Sequence, residues 1–193
     1  MVNAVIVVDM QNGFMAPEGT LICGAAAREI IPRIEARLRR ESAAGAALFF
    51  TQDSHAPDDA EFQMFPPHCV AGSDEEAIIA ELQSFASEAT IVRKRRYSAF
   101  FETDLAARLQ ALQPEKVVVV GDCTDICILH TVSDLRNRDY WVEVPADCVA
   151  SFDPEQHEWA LGHMDSILGA EITDRVTAPA AVAAGDRDRL IGR

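Results

Sequence analysis

The chain has 193 residues, 49% hydrophobic and 25% charged, with 10 glycines and 9 prolines: enough for a single α/β domain with its own core, without the bias of a disordered or fibrous repeat. A net charge of -14 repels phosphate backbones and anionic lipid, and the one basic run, Arg93-Lys94-Arg95-Arg96, is too small a platform to reverse that, so neither nucleic acid nor a membrane is an expected partner. The five cysteines (Cys23, Cys69, Cys123, Cys127 and Cys148) are odd in number and lack C-x-x-C spacing, which argues against a disulfide framework or a structural zinc cluster.

In chain order, Val2–Val8 is an apolar run without a basic leader or a small-residue cleavage site, and it is too short to span a bilayer, so a cytoplasmic location is expected. Ala4–Val8 reads as a buried strand ending in Asp9-Met10-Gln11-Asn12. Ala25–Ala43 carries Ile30, Ile31, Ile34 and Leu38 at helical spacing. Ala46–Thr51 is a second strand, ending in Gln52-Asp53-Ser54-His55, and Glu75–Phe85 repeats the helical pattern with Ile78, Ile79 and Leu82. Asp104–Leu112 is a third helix, stopped by Pro114. Lys116–Val120 is a strand running into Gly121-Asp122-Cys123-Thr124-Asp125, and Cys127–Asn137 is the helix that follows. Trp141–Val144 reads as a strand, Pro154–Leu168 as a helix, Glu171–Thr173 as a last short strand, and Ala178–Arg193 as a loose, Ala- and charge-rich tail. Strands that are apolar throughout are covered on both faces. The expected fold is therefore a doubly wound, mostly parallel α/β sheet with helices on both sides, its three polar strand ends sharing one ligand-binding rim.

Three residue types at that rim suggest covalent chemistry. Cys127, at a helix start, is either a small buried hydrophobe or a thiol whose pKa is lowered by aligned backbone N–H groups that can also receive an oxyanion. Asp9 is either a loop anchor or the proton acceptor and donor beside that thiol. Lys94, after Ile91-Val92, is either a surface lysine of the basic run or an ammonium that favours a thiolate and steadies Asp9. Its arginine neighbours read as a solvated strand end.

The stretch Gly121-Asp122-Cys123-Thr124-Asp125-Ile126-Cys127-Ile128-Leu129-His130-Thr131 resembles the nucleophile loop of the isochorismatase-like cysteine hydrolases, and within them of the nicotinamidases. Lys94-Arg95-Arg96-Tyr97-Ser98-Ala99-Phe100 with Thr103-Asp104-Leu105 is similar to the segment carrying the family's lysine. Val7-Val8-Asp9-Met10-Gln11-Asn12-Gly13-Phe14 is similar to its opening strand. With Val149-Ala150-Ser151 and Leu161-Gly162-His163, the likeness runs from about residue 3 to 173. It implies an Asp9, Lys94, Cys127 triad, a cis peptide between Asp122 and Cys123, and an oxyanion hole made by the backbone N–H groups of Cys123 and Cys127. Asp122-Cys123 departs from the apolar pair usual at that peptide.

Asp53 and His55 lie two apart and share a face if the chain stays extended, and the following loop can return Glu61 and His68. Taken alone, such a pair is also ordinary surface polarity. It resembles the nicotinamidase pattern of Asp-x-His, then His or Glu, then Pro-Pro-His, present here as Asp53, His55, Glu61 and Pro66-Pro67-His68; Asp58 or Asp59 can substitute for Glu61. Two imidazoles and two carboxylates suit one divalent transition metal, zinc first, with iron or manganese as alternatives. Phe14 and Phe65 correspond to ring-packing positions, with Tyr97 and Phe100 as further candidates for the pocket wall, and Ser54 replaces a commonly larger residue and predicts a roomier pocket. His130, His157 and His163 lie on predicted helices and read as structural.

The resemblance implies hydrolysis of a small aromatic carboxamide, nicotinamide to nicotinate and ammonia, with pyrazinamide as a further substrate and a place in pyridine nucleotide salvage. Two other readings stand beside it: a metal-free relative cleaving another amide, a ureido compound or a vinyl ether, and a non-catalytic module on the same fold. A homo-oligomer is compatible with all three.

Overall fold

In the computed structural model, which describes residues 2–175, the apolar runs become seven parallel strands: β1 (Ala4–Val8), β2 (Ala47–Asp53), β3 (Thr90–Lys94), β4 (Val117–Asp122), β5 (Val142–Pro145), β6 (Val149–Ala150) and β7 (Glu171–Thr173). Their order across the sheet is β3-β2-β1-β4-β5-β7, with β6 beside the end of β4. The helices are α1 (Asn12–Met15), α2 (Gly24–Glu29), α3 (Ile31–Ala43), α4 (Gln83–Ala86), α5 (Leu105–Leu112), α6 (Leu129–Arg136) and α7 (Pro154–Ser166). The tail expected at Ala178–Arg193 lies outside the described residues.

Because side chains alternate across a strand, each central strand feeds two cores. Val5 and Val7 pack with Ile34 and Leu38 of α3, whereas Ala4, Ile6 and Val8 pack with Leu105 and Leu109 of α5, Val132 and Leu135 of α6 and Leu161 of α7. This two-sided cover explains the absence of apolar-polar alternation in β1 and β4, which are buried at every position. Ile34 and Leu38 are fully buried, each side chain contributing about 1.5–3 kcal/mol of transfer free energy. At the rim, β1 and β4 approach closely: Gly121 pairs with Val8 at φ 120°, and a Cβ there would sit 2.1 Å from the Val8 carbonyl oxygen. Only glycine meets both demands.

Three expected helices come out differently. Ala25–Ala43 divides into α2 and α3 at Ile30, because Pro32 has no N–H for the carbonyl four residues back. Glu75–Phe85 is a 3₁₀ turn (Asp74–Glu76), an extended link, a second 3₁₀ turn (Ala80–Leu82) and α4. The link bonds instead to the segment after β1, through Asn12 N to Ala77 O (2.9 Å) and Ile79 N to Met10 O (3.0 Å). Ile78, Ile79 and Leu82 are still buried, so the apolar spacing located the core contacts and mistook their backbone. Third, the helix expected from Cys127 starts at Leu129, after a π turn over Thr124–Ile128 closed by Ile128 N to Cys123 O (3.1 Å). Strand β4 also runs two residues further than expected, through Gly121 and Asp122.

Candidate functional site

The carboxyl ends of β1, β2, β3 and β4 converge on one pocket of about 380 Å³, open mouth included, with Asp9, Asp53, Glu61, His68, Tyr97, Cys123 and Cys127 in its lining. Register does the positioning. Asp53 is the direct partner of Lys94 across β2 and β3, and Val7 pairs with Phe50, so Asp9 emerges beside the end of β2.

Lys94 is the centre of the charged group. Its Nζ lies 2.7 Å from Asp9 Oδ2, 2.6 Å from Asp53 Oδ1 and 3.5 Å from Cys127 Sγ. The three acidic and thiol groups themselves lie within 4.8 Å of one another, and all four side chains are buried. Burial drives the Lys94 pKa down, but the Asp53 and Asp9 carboxylates outweigh it and hold the ammonium well above the ordinary lysine range. Burial pushes the Cys127 thiol well up; Lys94 opposes this only in part, with the Asp9 and Asp53 charges adding to the rise. Burial thus works against the lowering expected from backbone N–H groups at this turn. Burial also raises Asp9, against the pull of Lys94, which makes it a better proton acceptor.

Positioning groups surround the trio. Thr51 Oγ1 donates to Asp9 Oδ1 (2.5 Å) and accepts from Asp9 N (3.0 Å), fixing a residue whose φ is +51°. Gln11 accepts from Asp53 N (2.7 Å) and donates to Asp53 O (2.9 Å) and Glu76 O (2.9 Å). Neither role shows in the linear sequence, although both residues stand at polar strand ends. The Asp122–Cys123 peptide is cis, as the resemblance implies. Asp122 is buried and accepts from the Cys23 thiol (2.9 Å), which lies 3.0 Å from Cys123 Sγ. Burial raises its pKa well above the ordinary carboxylate value, which favours the protonated form where an apolar residue is usual.

Alongside this trio, the polar segment after β2 gathers the second group. Single oxygens or nitrogens of Asp53, His55 and His68 lie within 4.8 Å of one another. Glu61 borders them, with Oε1 4.0 Å from His68 Nε2. His68 Nδ1 lies 2.8 Å from the Pro66 carbonyl; a carbonyl only accepts, so Nδ1 carries the proton and Nε2 presents a lone pair. Both ring nitrogens of His55 and Oε2 of Glu61 are buried without a hydrogen-bond partner. Of these, His55 Nε2 points into the group, whereas Nδ1 faces Asp59 and Glu61 Oε2 faces Arg96; the unpartnered Nε2, the His68 lone pair and the Asp53 and Glu61 carboxylates make a donor set that fits a divalent cation. Of the alternatives to Glu61, Asp58 is exposed, and Asp59 points to the far side of His55, its Oδ2 3.3 Å from Nδ1. Asp53 belongs to both groups, one oxygen on Lys94 and the other 3.9 Å from His55 Nε2.

Phe14, Phe65 and Tyr97 all line the pocket, joined by Phe152, which had no sequence signal beyond its type. Phe62 was also missed; its ring packs 5.4 Å from His55 and 5.7 Å from His68. Phe100 packs in the core under the Arg138 guanidinium. Ser54 is absent from the pocket lining and faces a neighbouring cleft with Arg93 and Arg95, so it enlarges nothing here. His130 bonds to the Ile126 carbonyl and His163 stacks on Trp159, both structural as expected. His157 is less remote: its Nδ1 lies 2.9 Å from Thr124 Oγ1 at the π turn. Arg93 is exposed and Arg95 half-buried against Glu102, whereas Arg96 turns inward onto Asp59 at 2.8 Å. No helix among the described residues is long and apolar enough to cross a membrane.

Comparison with known proteins agrees with this geometry. The isochorismatase domain matches residues 3–176. The isochorismatase family protein PncA of Bacillus subtilis (strain 168) is 34% identical over 183 residues, covering 90% of this chain and 100% of its own. Among solved structures, nicotinamidase/pyrazinamidase PncA from Bacillus subtilis superposes with a TM-score of 0.85 at 36% identity, covering 90% of this chain and 100% of that one. Pyrazinamidase of Pyrococcus horikoshii in complex with zinc gives a TM-score of 0.82 at 31% identity, over 90% of this chain and 99% of that one. The chain belongs to the isochorismatase family of hydrolases.

Proposed function

We propose that the protein is a metal-dependent nicotinamidase, hydrolysing nicotinamide, and pyrazinamide as a second substrate, through a thioester on Cys127. The observation that carries this reading is the meeting of two constellations at one pocket: Asp9 and Cys127 in its lining with Lys94 bonded to them, and Asp53, Glu61 and His68 in its lining with His55 beside them, its Nε2 unpartnered. A relative that cleaves amides without a metal has no use for the second set. The zinc complex of the Pyrococcus horikoshii pyrazinamidase supports a cation there, zinc first.

Asp9 takes the proton from Cys127 Sγ, and the thiolate attacks the carboxamide carbon. A C–S bond forms as the carbonyl electron pair moves onto oxygen, where the backbone N–H groups of Cys123 and Cys127 receive the negative charge. Asp9 passes its proton to the amide nitrogen, the C–N bond breaks and ammonia leaves. Water then gives a proton to Asp9 and attacks the thioester carbon; the C–S bond breaks, the sulfur recovers that proton and nicotinate is released. Lys94 remains an ammonium throughout, steadying Asp9 and the developing thiolate. Phe14, Phe65 and Tyr97 hold the flat ring. Asp53, His55, Glu61 and His68 would hold a divalent ion, which when bound would supply a Lewis acid to polarise and orient the substrate ring.

The test is ammonia release from nicotinamide by the metal-loaded protein, after chelation and after metal is restored. Expected are turnover, its loss and its recovery. Turnover untouched by complete metal removal would support the metal-free alternative, and no turnover of any small amide by metal-loaded protein would support a non-catalytic module.

A further inference from the structure

We propose that Asp59, braced by Arg96, is a positioning residue that fixes the tautomer and orientation of His55 as a metal ligand. The inference rests on the metal-dependent reading above.

His55 is fully buried, and its two nitrogens face different groups: Nε2 toward Asp53 Oδ2 (3.9 Å) and Nδ1 toward Asp59 Oδ2 (3.3 Å). The other Asp59 oxygen accepts from Arg96 Nη1 (2.8 Å) and from Glu61 N (2.9 Å). Arg96 Nη1 also lies 3.8 Å from Glu61 Oε2, which ties Asp59 to the fourth member of the set. With Oδ1 held by Arg96 and by the Glu61 N–H, Oδ2 of Asp59 is turned toward His55 Nδ1. A carboxylate facing Nδ1 places the proton there and leaves the Nε2 lone pair for the ion. His68 reaches the same state through the Pro66 carbonyl. Outer partners of this kind typically govern metal affinity by 10- to 100-fold.

The competing explanation is that Asp59 merely caps the short turn Ala60–Gln63 through Glu61 N. Two substitutions separate them. Asp59→Ser keeps a capping oxygen for Glu61 N and loses the acceptor facing His55. Asp59→Asn keeps the shape but has one acceptor atom where the carboxylate uses two. Zinc affinity would be measured by competition with a chromophoric chelator, together with the apo thermal midpoint and the ¹⁵N shifts of the His55 ring in zinc-loaded protein. Expected is a roughly 10- to 100-fold weaker zinc affinity in both variants, with an altered His55 Nδ1 signal. Arg96→Gln should show a smaller loss in the same direction. Wild-type affinity and an unchanged His55 signal in Asp59→Ser would overturn the proposal and leave only the cap. Failure of the wild-type protein to bind zinc, iron or manganese would overturn it too, and with it the metal-dependent function, a result distinct from the first.

Discussion

Replacing Thr51 with valine tests whether the pocket holds Asp9 by design of the sheet or by chance proximity. Thr51 is fully buried, and its hydroxyl both donates to the Asp9 carboxyl at 2.5 Å and accepts from the Asp9 N–H at 3.0 Å. Valine preserves volume and branching, so the effect is almost purely that of the hydroxyl. Losing a hydrogen bond to a charged partner costs about 1.5–3 kcal/mol, and an N–H left buried and unpaired about 1–3 kcal/mol. Partial relaxation of the loop brings the expected destabilisation to about 2–5 kcal/mol, a large share of the roughly 5–15 kcal/mol that stabilises a typical domain. Urea denaturation of the apo protein measures it. Steady-state ammonia release should show kcat falling by about 10- to 100-fold, the scale set by small misplacements of a reacting group. Thr51→Ser keeps the hydroxyl and should recover most of both quantities. A valine variant within about 0.5 kcal/mol of wild type, with unchanged kcat, would show that the Thr51 hydroxyl does not hold Asp9.

Two further outcomes follow from the site. Burial raises the folded pKa of Asp122 well above the ordinary 3.8, so its contribution to stability is complete below about pH 4 and declines as pH rises toward the folded value. Relative to wild type, Asp122→Asn should gain stability over that window by up to about 1.4 kcal/mol per pH unit; parallel stability curves across pH in chemical denaturation would contradict the assignment. His68→Ala removes a ring whose Nε2 faces the other donors, and should abolish stoichiometric zinc in elemental analysis of the folded protein, whereas retained zinc would place the ion elsewhere.

The parts of the molecule legible in the sequence were those set by local composition. Strands apolar from end to end announced a sheet covered on both faces, and the polar residues after β1, β2 and β4 marked the rim. The positions of Asp9, Lys94, Cys127 and the Asp53–His68 segment followed from motif order. What stayed hidden depends on strand register and on backbone pairing between distant segments. The direct pairing of Asp53 with Lys94 makes one carboxylate common to both groups, and strand order is needed to see it. Thr51 and Gln11 act across strands 42 residues apart. The helix expected over Glu75–Phe85 failed because backbone pairing with Met10 and Asn12 overrode its apolar spacing. The Cys127 thiol is raised because burial outweighs Lys94, a balance no spacing reveals.

The central claim is that Cys127 carries the acyl group, and its most direct test is mass spectrometry of metal-loaded protein quenched in acid during turnover of nicotinamide. Expected is a nicotinoyl increment on the peptide containing Cys127, absent from Cys127→Ala, with turnover abolished in that variant while fold and zinc content are retained. Measurable turnover by folded Cys127→Ala would contradict it.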